Sequence, residues 1–208
     1  MAINANGDLY TVGHNDQGQL GHGATSAKIV EKSRQVALEG ERVATAASNR
    51  DHSAIVTESG ALYVCGRNDS GQLGTDDMAN KFRFHLVKGF SSRPVLATAV
   101  ESFNGYFVAT CDTEGGGVMA FGNNEHGQLG IGRVTEPILE PTSCGANVIV
   151  VQLACGDSYT AALTASGDVY TFGNNKYGQL GLGRADESDV TKPTVRRQPS
   201  HIVQGALL

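Results

Sequence analysis

Gly173-Asn174-Asn175-Lys176-Tyr177-Gly178-Gln179-Leu180-Gly181 reads G-x-N-x-x-G-Q-L-G. The same nine-residue pattern stands at 13–21 (GHNDQGQLG), 66–74 (GRNDSGQLG) and 122–130 (GNNEHGQLG). Four copies with every fixed letter kept define an internal repeat, and a repeat decides the architecture before any local propensity does. Gly18, Gly71, Gly127 and Gly178 follow one another at 53, 56 and 51 residues, a period that suits one small antiparallel sheet per unit.

Each fixed letter has a backbone or packing use. Gly13, Gly66, Gly122 and Gly173 end a strand. Asn15, Asn68, Asn124 and Asn175 can bond their own backbone and tolerate a left-handed conformation. Gly18, Gly71, Gly127 and Gly178 supply a positive φ for a tight reversal, and Gly21, Gly74, Gly130 and Gly181 close the motif. Gln19, Gln72, Gln128 and Gln179 can bond main chain that a coiled loop leaves unpaired. Leu20, Leu73, Leu129 and Leu180 are the only apolar letters, and each is expected to plug the seam between adjacent units. The variable slots hold Asp16-Gln17, Asp69-Ser70, Glu125-His126 and Lys176-Tyr177. A catalytic or metal-binding motif holds its reactive letters and varies the rest; here the fixed letters are turn and packing residues, so the motif reads as fastening.

Outward from the motif, each unit is a run of short strands. In the last complete unit, Val148–Ala154 and Ser158–Thr164 flank a turn at Cys155-Gly156-Asp157. Ala165-Ser166-Gly167-Asp168 is a tight turn of the kind that joins antiparallel strands. Val169–Phe172 is the third strand, and a polar linker leads to a fourth. The second unit repeats this with Val43–Ala47, Ser53–Thr57 and Ala61–Cys65, bending at Asp51-His52. The third has Val95–Val100, Tyr106–Cys111 and Val118–Phe121, with a longer turn at 112–117. In the first unit Met1 falls opposite Ala54, inside the second strand, and the first strand is missing. His201–Leu207 resembles a first strand without a successor. It is placed to complete the sheet that the first residues begin, a clasp that leaves no open end.

The chain has 208 residues with 27 glycines, no Trp and a net charge of −5. High glycine with β-branched runs means many turns between short strands. The acidic balance argues against a nucleic-acid footprint, which needs a basic face. No apolar run approaches a membrane-spanning length, and the first residues carry no signal-peptide pattern. Cys65, Cys111, Cys144 and Cys155 form no C-x-x-C pair, and three sit in apolar strand patterns. They are expected as free thiols in a reducing compartment, the cytoplasm or the nucleus.

Val150-Val151-Gln152-Leu153-Ala154-Cys155-Gly156-Asp157-Ser158-Tyr159-Thr160-Ala161-Ala162-Leu163 followed by Gly167–Gly183 resembles the repeat of the RCC1 family (regulator of chromosome condensation) over essentially the whole chain. The family pattern there is V-x-x-[VL]-A-C-G-x-x-[HS]-[TS]-x-A-L, then G-x-[VL]-Y-x-[WF]-G-x-N-x-x-G-Q-L-G-x-G. The resemblance implies an all-β fold of β-propeller blades, four antiparallel strands each, in one repeat domain over 1–208. Family propellers resemble rings of seven blades, whereas this chain holds four motifs. A closed small ring, a partial arc completed by another chain or a second copy, and a piece of a longer propeller all stay open. The aromatic usual before the motif glycine is Val12, Cys65, Phe121 and Phe172 here. Without Trp, the tryptophan-based light sensing of the plant photoreceptor in this family is not expected.

Function should then sit in what varies between units. The linker at 75–93 is the longest and contains Lys81-Phe82-Arg83-Phe84-His85. This alternating basic and aromatic run suits a partner contact, since Arg and aromatics are favoured in hot spots. Its strict alternation suits better an outer edge strand with Phe82 and Phe84 inward and Lys81, Arg83 and His85 outward. The acidic 185–189 and basic Arg196-Arg197 read as solvated charges. His14, His22, His52, His85, His126 and His201 have no metal-ligand spacing, and His52 sits at a hairpin bend. No nucleophile elbow, phosphate loop or zinc-helix motif occurs. The expectation is a non-catalytic protein-interaction scaffold without cofactor or metal, a subunit of a larger assembly. The alternative is a guanine-nucleotide exchange factor for a small GTPase. The family implies an acidic residue and a protruding hairpin for that, and neither can be placed on these units. Chromatin binding, which needs a basic tail, ranks last.

Overall fold

The computed structural model describes residues 1–23, 28–38, 40–90, 95–100, 106–111, 117–145, 148–183 and 188–196, without the side chains of 96–100, 106–111 and Arg196. Fifteen strands among these residues form four antiparallel sheets. The first sheet is β1 (Ala2–Ile3), β2 (Leu9–His14) and β3 (Ile29–Gln35). The second is β4 (Val43–Ser48), β5 (His52–Thr57), β6 (Leu62–Gly66) and β7 (Lys81–Leu86). The third is β8 (Val95–Val100), β9 (Tyr106–Cys111), β10 (Gly117–Asn124) and β11 (Thr135–Ser143). The fourth is β12 (Val150–Gly156), β13 (Tyr159–Thr164), β14 (Val169–Gly173) and β15 (Val190–Arg196).

Every sheet is a meander, so each strand pairs with its neighbours in sequence. The repeat period therefore maps one unit onto one sheet. β1 is the expected second strand of the first unit, and pairs Ala2 with Tyr10. The fourth-unit first strand begins at Val150 rather than Val148 and runs on to Gly156, so its turn is Asp157-Ser158, with Ser158 at φ +61°.

The strand-joining turns use local bonds. In the second sheet Gly60 (φ +82°) donates to the Thr57 carbonyl, and Ala61 N–H donates to Thr57 Oγ1 at 3.1 Å. Thr164, Gly167 (φ +88°) and Asp168 repeat this in the fourth. A side-chain acceptor at the corner closes the turn without requiring an Asn-Gly pair. The prolines of the fourth strands, Pro137, Pro141 and Pro193, lie where a missing N–H costs least, on edges.

Successive sheets pack in chain order. β4 touches β8 and β8 touches β12, so first strands line the inner side, while β1 meets β4. Three apolar clusters fill the seams. Leu9, Val36, Val43 and Ile55 join the first sheet to the second. Leu73, Val64 and Phe90 meet Met119 and Phe121 between the second and third. Leu129 and Val118 meet Val150 and Ala162 between the third and fourth. A sheet has one half-buried face on each side, and stacking is what buries both. The arrangement is a propeller arc of RCC1-type blades. The expected clasp strand at His201–Leu207 lies outside the described residues.

Candidate interaction surface

The motif geometry is the same in all four units. Asn Oδ1 accepts from the Leu N–H five residues on: Asn15 from Leu20 and Asn68 from Leu73 at 2.9 Å, Asn124 from Leu129 at 3.1 Å, Asn175 from Leu180 at 3.2 Å. None of these asparagines takes a left-handed φ; the glycines do. Gln Oε1 accepts from the N–H two residues earlier in each copy, at 2.8–3.0 Å. Gln19 Nε2 also donates to the Arg50 carbonyl in the next sheet at 2.9 Å. Asn15, Asn68, Asn124 and Asn175 are buried, as are the four leucines. Buried amides of this kind must be bonded, and here they are consumed holding the loop.

The seams reuse the motif. Ser53 Oγ donates to the Gln19 carbonyl at 2.7 Å, and Thr160 Oγ1 to the Gln128 carbonyl at 2.8 Å. Past the motif, Gly23, Asp76 and Gly132 donate backbone N–H to Phe82, Leu139 and Thr191 of the next fourth strand. These donors have φ of +99°, +60° and +88°. Asp76 stands where the other units have glycine, and an L-residue in that region costs free energy that glycine does not. Asp76→Gly is expected to stabilise the chain by about 0.5–1 kcal/mol, read as a higher urea midpoint at unchanged m.

The aromatic position before the motif glycine explains itself once the seams are seen. Phe121 lies against Gly74 and Phe172 against Gly130, so a Cβ at either glycine would fall within 2.9 Å of the ring. In the second sheet the position is Cys65, and the ring over Gly21 is instead Phe84, from the outer strand, with a would-be Cβ distance of 2.6 Å. The small residue and the ring from the neighbouring strand occupy one volume together.

This settles where Lys81–His85 lies. It is β7, the outer strand, with Gly66 paired to Lys81 and Val64 to His85. Phe82 lies against Gly18 and Phe84 against Gly21 of the first motif. Arg83 does not simply point outward: its guanidinium sits 3.0 Å from a Cβ built at Gly23. Lys81 pairs with Asp77. What remains outward is Arg83 in part, His85 and Leu86, together with Met78 and one edge of Phe82.

His52 is buried, with Asn49 Nδ2 near both ring nitrogens. Burial, aided by the Arg67 charge, lowers its pKa to about 4. An imidazole held neutral in the fold but titrating normally when unfolded makes the unfolded chain bind more protons between these two values. Stability is therefore complete above about pH 6.5 and falls by about 3 kcal/mol as pH drops towards 4. Asp69 and Asp77 are held below the usual carboxylate range, the former chiefly by its bond to Arg67, and lose their contribution only at lower pH. His52→Gln should flatten the loss between pH 6.5 and 4.5 in chemical denaturation; an unchanged slope would assign the loss elsewhere.

Asp189 is not a free loop charge: His126 Nδ1 meets its Oδ2 at 3.1 Å across the third seam. Residues 185–187, Arg197 and His201 lie outside the described residues. Among the described residues, no three His, Cys, Asp or Glu converge on a metal-sized site. Burial pushes the Cys65 thiol up. Among the described residues, no helix is long and apolar enough to cross a membrane. Sequence reasoning missed the seam role of β7, because two residues of one strand can be matched to two glycines of another unit only in three dimensions.

The chain matches the model of the Regulator of chromosome condensation (RCC1) repeat at residues 6–56, 59–107, 115–163 and 166–206. It is 35% identical to the X-linked retinitis pigmentosa GTPase regulator of Canis lupus familiaris over 87% of this chain and 23% of that one. It is 30% identical to the ultraviolet-B receptor UVR8 of Arabidopsis thaliana over 88% of this chain and 41% of that one. The crystal structure of Prp20p from Saccharomyces cerevisiae superposes with a TM-score of 0.79 at 25% identity, covering 97% of this chain and 49% of that one. The chain thus spans 23–49% of the length of these three proteins. Four matched repeats, the first three each running from the last two strands of one sheet into the first two of the next, with the motif's glycines, asparagines and glutamines in their structural places, mean that the chain belongs to the RCC1 repeat family.

Proposed function

We propose that this chain is a non-catalytic protein-interaction module, a rigid arc of blades that serves as a scaffold or subunit of a larger assembly. The observation that carries the reading is where the motif's polar side chains go. The repeated amides are spent on the loop's own main chain and on the seams. A constellation kept for chemistry would leave reactive groups converging on a shared cavity. What differs between blades and reaches solvent is the outer strand and its approach, with Met78, Arg83, His85 and Leu86 on the second blade. Exposed apolar residues beside an arginine suit a protein surface. The tagged chain should retain a stable partner through purification, and Arg83→Glu with Leu86→Glu should weaken that retention at least about tenfold. Recovery of the chain alone, from every source tested, would overturn the reading.

A second reading is exchange or regulation of a small GTPase. It is favoured by the names of two relatives: a GTPase regulator, and Prp20p, described by its binding to Gsp1p and histones. Release of a fluorescent guanine nucleotide from a panel of small GTPases decides it. Acceleration by this chain supports exchange; the intrinsic rate throughout leaves the scaffold. The net charge of −5 weighs against direct binding to DNA, whose phosphates call for a basic face, and ranks chromatin binding last.

A further inference from the structure

The outer strands share one register, so their residues correspond place by place. Lys81, Ile138 and Val190 pair with the motif glycines Gly66, Gly122 and Gly173. His85, Thr142 and Thr194 pair with Val64, Ala120 and Thr171, two residues before those glycines. Between these rungs the outer strand has three residues where the third strand has one. Part of the outer strand's main chain is therefore left out of the ladder.

The first residue of the three is Phe82, Leu139 or Thr191, and its carbonyl accepts from Gly23, Asp76 or Gly132 of the preceding unit. The third is Phe84, Pro141 or Pro193. A proline has no N–H to give, so two prolines at this place show that the ladder takes none from it. On β7 the place keeps its N–H, and among the described residues Phe84 gives no main-chain bond to another element. Val87, three residues on, donates inward to the Leu62 carbonyl at 2.9 Å. Main-chain groups alternate along a strand, so those of Leu86 face outward with those of Phe84. β7 is the last strand of its sheet. An edge with two outward residues free to pair is a template for one more strand, and proline is what closes such an edge on β11 and β15.

The side chains along this edge are basic and apolar. Arg83, His85 and Lys88 are exposed, and neither Arg83 nor Lys88 forms an ion pair among the described residues. On β11 the same three places are Glu140, Thr142 and Gly145. Leu86 is 47% exposed. It borders a mostly apolar cleft of about 330 Å³ with Ala61, Lys88 and Phe90. The first sheet also lacks the proline, with Ser33 in its place, but has Gln35 where β7 has Leu86.

We propose that β7 receives an extended acidic peptide as an added strand. Its main chain pairs with Phe84 and Leu86, its carboxylates lie beside Arg83 and Lys88, and an aliphatic side chain enters the cleft at Leu86. Main-chain bonds supply affinity in this mode, and the alternate side chains supply the choice of partner. The proposal rests on the reading of the second blade's outer strand as a protein-binding surface, and adds how the partner is held.

The probe is a fluorescent octapeptide of alternating Glu and Val, titrated with the 208-residue chain and followed by polarisation. Saturable binding is expected, with slowed amide exchange at Phe84 and Leu86. The Lys-Val counterpart should bind at least about tenfold more weakly. Phe84→Pro should remove binding, while Phe84→Ala, which keeps the N–H, and Ser33→Pro, on the other sheet, should retain it. Because Phe84→Pro could unfold the blade, the peptide is also N-methylated at alternate amides and tested on the unaltered chain, where binding should be lost. No binding of the acidic peptide overturns the proposal, as does equal binding of the basic one or binding that survives N-methylation on either set of amides. A purified partner that is lost with Arg83→Glu and Leu86→Glu but kept with Phe84→Pro overturns strand addition and leaves the scaffold reading standing. Peptide binding by a chain that retains no partner does the reverse.

Discussion

Gly66→Ala is expected to cost about 4 kcal/mol and to leave much of the chain unfolded at physiological temperature. Gly66 ends β6 at φ +110°. A Cβ there would lie 2.3 Å from the Asp51 carbonyl oxygen and 2.6 Å from the His52 Cα. Both are main chain of the paired strand, so no side chain can turn aside. Gly173 repeats the geometry at φ +109°, with the Ser158 carbonyl oxygen at 2.3 Å. Gly13 is the control. It shares the motif position and has φ +117°, but nothing lies within 4 Å of a Cβ there. Gly13→Ala bears only the backbone strain, about 1–2 kcal/mol. Urea unfolding of the two variants separates strain from collision. Equal losses would mean that close approach between strands is not what the glycine provides.

Phe121→Ala is expected to cost about 4 kcal/mol, at the upper range for emptying a buried aromatic site. Phe121 is fully buried, belongs to the cluster with Leu73 and Met119, and packs on Gly74 of the preceding unit. Truncation thus opens a cavity between two sheets rather than within one. Collapse is hindered because Gly74 has no side chain to move in, and both sheets are held by their own ladders. Phe84→Ala should cost roughly half as much, since Phe84 is only half-buried in the equivalent place. Comparable losses at the two positions would show that the outer-strand ring is a full substitute for the third-strand ring.

The residues legible in the sequence are those whose role is local. The Asn and Gln letters were expected to bond nearby main chain, and they bond N–H groups five residues ahead and two residues back. The strand-joining turns at Gly60 and Gly167 followed from their composition, as did the three strands before the second, third and fourth motifs. Less was legible where a residue acts on another unit. Lys81–His85 was readable as an outer edge strand with Phe82 and Phe84 inward, but not that these and Arg83 meet Gly18, Gly21 and Gly23, some 60 residues earlier. Asp189 looked like a solvated charge and is the partner of His126. Nothing in either stretch names its partner, because strand alternation reports which side a residue faces and not what stands there.

The amino-acid sequence by itself determined the blade: its period, its order of strands, the loop that fastens it and the family it belongs to. All of these rest on bonds and turns a few residues long, which the repeated letters spell out four times. Only the tertiary structure decided how blades meet and which aromatic fills each seam. Those contacts join residues more than 30 positions apart, and their fit depends on the distance between two sheets, a quantity no local pattern carries.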